Sequence, residues 1–171
     1  QTILKHLIYN EDYLRKVLPF LKSEYFTDKC EKAIYEEITA FTSAYNSTPT
    51  IEAIEIAIKE RRNLTDDEVS RCESYIQEIE SSKMETSKID WLTDKTEQFC
   101  QEKAIYNAVL ASISVLDGKD KTKDKGAIPT LLSEALAVSF DTSVGHDYLE
   151  NTDERYEFYH RHEERIPDRK S

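Results

Sequence analysis

Turn-forming residues are scarce in this chain: three glycines and four prolines in 171 residues. An all-β fold needs a turn roughly every ten residues, and this supply cannot furnish them. Cysteine is scarce as well. Cys30, Cys72 and Cys100 are odd in number and far apart, which excludes a disulfide framework and fits small buried side chains of a reduced, cytosolic protein. Positive charge is in the minority, with 23 Lys and Arg against 34 Asp and Glu and a net charge of −11. Tight sequence-independent DNA binding needs clustered cations, so this chain alone is not expected to provide it. No apolar run approaches the roughly 20 residues of a membrane span, and no secretory signal pattern stands at the front. A starting Met is missing too, so Gln1 is not expected to be the first residue of the gene.

What is abundant is Glu, Lys and periodic apolar residues, the composition of helices. The expected fold class is all-α: a compact bundle of short helices over residues 1–85, a long-helix αα-hairpin over 86–140, and a separate C-terminal linker helix within 141–171. In the first part, Ile3, Leu4, Leu7 and Ile8 share one helical face, and Tyr13, Leu14, Val17 and Leu18 share another, with an irregular step at Pro19. Asp28 is placed to cap a helix carrying Ile34, Ile38, Phe41 and Tyr45 as far as Asn46. After the turn NSTPT, Thr50 caps a helix with Ile51, Ile54 and Ile58 inward. Thr65 and Glu68 have capping-box spacing, ahead of a stripe of Val69, Cys72, Ile76 and Ile79.

The next stretch differs in kind. From about Lys88 to Leu116 there is neither Gly nor Pro, and some 29 helical residues would span roughly 43 Å, longer than a compact head is wide. Apolar positions recur at Ile89, Leu92, Phe99, Tyr106, Leu110 and Ile113. The polar run DGKDKTKDKGA breaks the helix, and Ile128, Leu131, Leu132, Ala135, Leu136 and Phe140 then form a second stripe. Two apolar helices joined by a polar loop make an αα-hairpin, and a projecting hairpin leaves apolar surface uncovered. Self-association through Tyr106, Leu110, Ile113, Leu131, Leu132, Leu136 and Phe140 is the expectation. Beyond a short linker, a final amphipathic helix carries Tyr148, Leu149, Tyr156 and Tyr159, expected to dock on another domain or chain.

Several chemistries have no home here. Gly118, Gly126 and Gly145 sit in no phosphate-binding frame. His160 and His162 are two apart, so on a helix they point about 200° from each other and are expected as surface residues, not metal ligands. The acidic run at Thr65–Glu68 suits a helix's first turn, where the macrodipole favours negative charge, better than a cation site. Lys119, Lys121, Lys123 and Lys125 alternate with Asp120 and Asp124 and lack an aromatic partner, which fits a solvated hairpin tip more than a nucleic-acid contact. Cys100 has no histidine in its helix to activate it. No catalytic, cofactor-binding or metal-binding residue is expected in this chain.

A resemblance sharpens this picture. The run GAIPTLLSEALAVSFDTSVGHDYLE, and SFDTSVGHDY in particular, resembles the region between the N-terminal domain and the motor of replicative DNA helicases of large tailed bacteriophages, in the DnaB-like hexameric class. ILKHLIYNEDYLRKVLPFLKSEYF and TPTIEAIEIAI are similar to that family's opening helices, in consistent order. The resemblance implies an N-terminal collar that assembles with itself as dimers or a hexamer and receives the primase in a primosome for phage DNA replication. It also implies that Tyr148 to Arg165 form a linker helix docking on the motor domain of a neighbouring subunit. The parent protein would be an ATP-dependent DNA helicase. ATP and magnesium would serve the absent motor, DNA would be bound only through the full-length protein, no membrane partner is implied, and the setting would be the host bacterial cytoplasm. On this reading the chain is a piece of a longer protein. The competing reading of the residues is a stand-alone all-helical adaptor or regulator of replication or transcription machinery.

Overall fold

Side-chain caps decide where the short helices begin. Asn10 accepts the Tyr13 N–H and starts α2 (Glu11–Val17) directly after α1 (Thr2–Tyr9). The Asp28 carboxylate accepts the N–H groups of Cys30 and Glu31 and opens α3 (Lys29–Tyr45). Thr50 caps α4 (Ile51–Glu60) through the Ala53 N–H, and Thr65 with Glu68 closes a full capping box on α5 (Asp66–Ser81). Each such cap satisfies donors that the first helical turn leaves unpaired. Asn46 ends α3 in the left-handed region at φ +54°, the common exit for a helix without glycine. The computed structural model describes residues 1–82 and 88–140, and every helix or turn of regular structure in them is helical.

The apolar faces of these helices meet in one core. Leu4, Leu7, Leu14, Ile34, Ile38, Ile54, Ile58, Ile76 and Ile79 are all essentially sealed from water. The long helix α6 (Ile89–Leu116) enters the same core with its first half, through Leu92 and Cys100. Tyr13 fixes it there: its buried hydroxyl lies 2.5 Å from Thr96 Oγ1, whose own proton can go to the Leu92 carbonyl at 2.8 Å. Phe99 meets Tyr25 edge-on and Phe26 at a tilt, and Phe26 stacks on Tyr35. The Tyr35 hydroxyl donates to the Leu21 carbonyl at 2.8 Å, holding the irregular chain after Pro19.

Two cations fasten helix ends. Lys5 is buried and donates to the carbonyl and hydroxyl of Ser82 at 2.5 and 2.8 Å, at the C-terminus of α5 where the helix dipole favours a cation. Arg61 leaves α4 and donates to the Ala33 carbonyl, to Glu37 at 2.9 Å and to Glu36 at 2.6 Å, so one guanidinium joins α3 to the α4–α5 connection.

Two expectations about apolar stripes are corrected. On α3 the buried position after Ile38 belongs to Thr42, while Tyr45 is 69% exposed. Steps of four residues drift only about 40° around a helix, so Ile34, Ile38 and Thr42 continue one stripe and Phe41 and Tyr45 fall on its shoulder. There they pack on each other, rings 4.6 Å apart. The second hairpin helix is also shorter than its stripe: α7 spans Ile128–Leu136 and ends where Ala137 N–H turns to the carbonyls of both Ser133 and Glu134.

Burial of weak acids gives this fold an alkaline limit. Burial pushes the phenols of Tyr13 and Tyr25 from 10 up to about 12, and the thiols of Cys72 and Cys100 from 9 up to about 12. The fold holds the neutral forms, whereas the unfolded chain ionises at the ordinary values. This contribution is therefore complete below about pH 9 and is lost as pH rises through about 12. Urea melts are expected to show falling midpoints across that window; a flat profile would contradict the burial of these groups.

Candidate assembly surface

The second half of α6 leaves the head and pairs with α7. At its end, the Asp117 N–H donates to the Ile113 carbonyl and the Gly118 N–H to that of Val115, and Gly118 reverses the chain at φ +69°, a conformation side chains disfavour. The four lysines of the tip are exposed, and Lys119 lies 3.9 Å from Asp117. Asp120 accepts the N–H and hydroxyl of Thr122 at 2.9 and 2.6 Å, bonds that hold its carboxyl below the usual carboxylate range. The tip is a self-satisfied turn of mixed charge. Pro129 stands in the first turn of α7, where its missing N–H costs nothing.

Side-chain size divides the two sides of this half-helix. The buried positions of α6 here are Ala108, Ser112 and Val115, with Ala135 buried on α7. Ser112 satisfies its hydroxyl on the Ala108 carbonyl at 2.7 Å. Small residues let the two helices approach closely, and they use little apolar area in doing so. The large side chains lie elsewhere. Ile105, Tyr106, Val109, Leu110, Ile113 and Leu116 are between 38% and 60% exposed, and at 100° per residue they fall within an arc of about 140°. A soluble helix normally turns such an arc inward; here it faces water.

The expected assembly residues separate into three groups. Tyr106, Leu110 and Ile113 stand on the exposed face, and Leu136, on α7, is 72% exposed. Leu131 and Leu132 are half-buried. Phe140 lies beyond the end of α7, its ring stacked on Phe20 of the head with centroids 4.4 Å apart. Its N–H donates to Glu97 at 3.1 Å, and Gln101 donates to the Val138 carbonyl at 3.0 Å, so the end of the hairpin is fastened to the middle of α6. Tyr148, Leu149, Tyr156 and Tyr159 lie outside the described residues.

Ile105, Val109 and Leu116 belong to the exposed face and escaped the sequence reading. The signal was present: Ala104, Ala108 and Ser112 recur every four residues and mark the seam, which leaves the branched residues beside them outward. Among the described residues no helix is long and apolar enough to cross a membrane.

No family model matches the chain. The resemblance drawn from its motifs does hold along nearly its whole length. The chain is 31% identical, over 98% of its residues, to a protein of Enterobacteria phage T4 described as a DnaB-like replicative helicase. It spans 36% of that relative's length.

Proposed function

We propose that this chain is the N-terminal assembly and primase-docking domain of a hexameric replicative DNA helicase, a primosome component in phage DNA replication. The observation that carries the proposal is the uncovered arc from Ile105 to Leu116 on a helix that spends only small residues on its own partner. Coupled with a similarity that runs the full chain but covers 36% of a helicase, it fits a domain whose work is to hold copies together.

The mechanism is geometric. The head anchors the first half of α6, the second half carries the apolar arc outward, and the arc pairs with a second copy. A specific pairing needs some 1,600 Å² in total, about 800 Å² from each partner. The net charge of −11 gives the outer surface a field that favours a basic docking partner, and primase is assigned that place. Residues 141–171 would run on to the motor of a neighbouring subunit, where ATP and magnesium belong. This chain contributes no catalytic group, and DNA is engaged only by the assembled protein.

Two observations test it. The gene read beyond Ser171 is expected to continue into a glycine-rich phosphate loop; a stop codon there would make the chain a stand-alone adaptor. Titration with a primase from the same genome is expected to give saturable binding that weakens as salt rises, and no binding at low salt would remove the docking role.

A further inference from the structure

α7 has little of its own to keep it on α6. At nine residues it is shorter than the roughly 12–15 at which an isolated helix becomes even marginally stable in water. No side-chain hydrogen bond caps its start, and neither end carries the charge that its dipole favours. Ala135 is its one buried position. The buried seam positions of α6, Ala108, Ser112 and Val115, stand outside the head core.

The four residues after α7 are held differently. Residues 137–140 run back along α6 to the head. The Val138 carbonyl accepts from the Gln101 side chain at 3.0 Å, and the same amide group reaches Glu97 at 3.3 Å. Glu97, one turn earlier on α6, accepts the Phe140 N–H at 3.1 Å. The Phe140 ring then stacks on Phe20, with centroids 4.4 Å and planes 27° apart. Val138 and Phe140 pack against the head core, which α7 itself does not join.

We propose that residues 137–140 are a clasp that decides whether α7 lies on α6, so that the hairpin opens as a unit of its own while the head stays folded. Closed, the clasp substitutes for the caps and the large buried side chains that α7 lacks. Opened, α7 is too short to persist as a helix, and Ala108, Ser112 and Val115 join the exposed arc. At 100° per residue, α6 is then apolar over about 220° of its circumference. A pull on the chain beyond Phe140 meets the clasp before it meets α7. The clasp therefore sets whether Leu136 is held on the hairpin or withdrawn from it. That consequence for assembly rests on the function proposed above; the clasp does not.

Amide hydrogen exchange of the full chain, read by mass spectrometry, tests this, with solution mass measured in parallel at the same concentration. Phe140→Ala and Gln101→Ala together are expected to speed exchange of the α7 amides roughly tenfold or more, while α1 to α5 keep the parent's rates. Phe140→Tyr, which keeps the ring, should exchange like the parent. Phe20→Ala should free α7 as Phe140→Ala does, and combining the two should add little, because both break the same stack. Unchanged α7 exchange in the Phe140 and Gln101 double variant would overturn the clasp, as would equal acceleration throughout α1 to α5. Simple addition of the Phe20→Ala and Phe140→Ala effects would overturn it too. Faster α7 exchange with unchanged association would overturn only the consequence for assembly.

Discussion

Replacing Leu110 and Ile113 together by Asp is expected to turn an assembling chain into a monomer that is still folded. Each side chain is 47% exposed within the single chain, so a carboxylate at either position keeps its water in the monomer. Surface changes of this kind shift stability by about 0.5 kcal/mol. In a paired hairpin the same carboxylates would be buried against apolar groups, at a cost of several kcal/mol. A loss of about 3 kcal/mol corresponds to roughly a hundredfold weaker association. Sedimentation or light scattering should show dissociation, with circular dichroism and the melting temperature near the parent's. A variant that unfolds would place these residues inside the monomer core. One that assembles like the parent would move the interface elsewhere. Leu136→Asp extends the test to α7: at 72% exposure it should melt like the parent, and it should weaken assembly if the interface reaches across both helices of the hairpin.

Tyr13→Ala is expected to be the most damaging single substitution in the head. Tyr13 is fully buried, its ring meets His6 edge-on at 5.8 Å, and its hydroxyl joins α2 to α6 through Thr96. Truncating a buried aromatic costs about 3–5 kcal/mol, against a total stability of roughly 5–15 kcal/mol for a domain. At this size each kcal/mol lowers the melting temperature by about 3 °C, so a fall of roughly 10–15 °C is expected. Tyr13→Phe keeps the ring and removes only the hydroxyl, and should cost about 1–2 kcal/mol. If the two variants melt alike, the ring contributes little and the Tyr13–Thr96 bond carries the attachment of α6.

Local rules made much of this molecule legible in its sequence. Asp28, Thr50 and the Thr65–Glu68 box act as caps because capping depends on residues three apart, and the length of α6 follows from an unbroken run without Gly or Pro. Leu4, Leu7 and Ile8 of α1, Ile51, Ile54 and Ile58 of α4, and Cys72, Ile76 and Ile79 of α5 follow from simple periodicity, whereas Ile3 and Val69 are only partly buried and the burial of Lys5 and His6 has no such signal. The two sides of the second half of α6 did not, because both are apolar there and only side-chain size separates them. Periodicity counts Ala108 and Leu110 alike, while packing puts the smaller one in the seam. Contacts between distant parts of the chain were also invisible. The Phe20–Phe140 stack and the Tyr13–Thr96 bond depend on how helices are arranged, which no local pattern encodes.

Solution mass by light scattering after size exclusion, over a wide range of concentration, tests the assembly surface most directly. The exposed arc on α6 predicts a dimer or larger species, with mass rising as the chain is concentrated. A monomer at every concentration up to roughly 0.1 mM, where the chain's own affinity would be no better than about −5.5 kcal/mol, would contradict it.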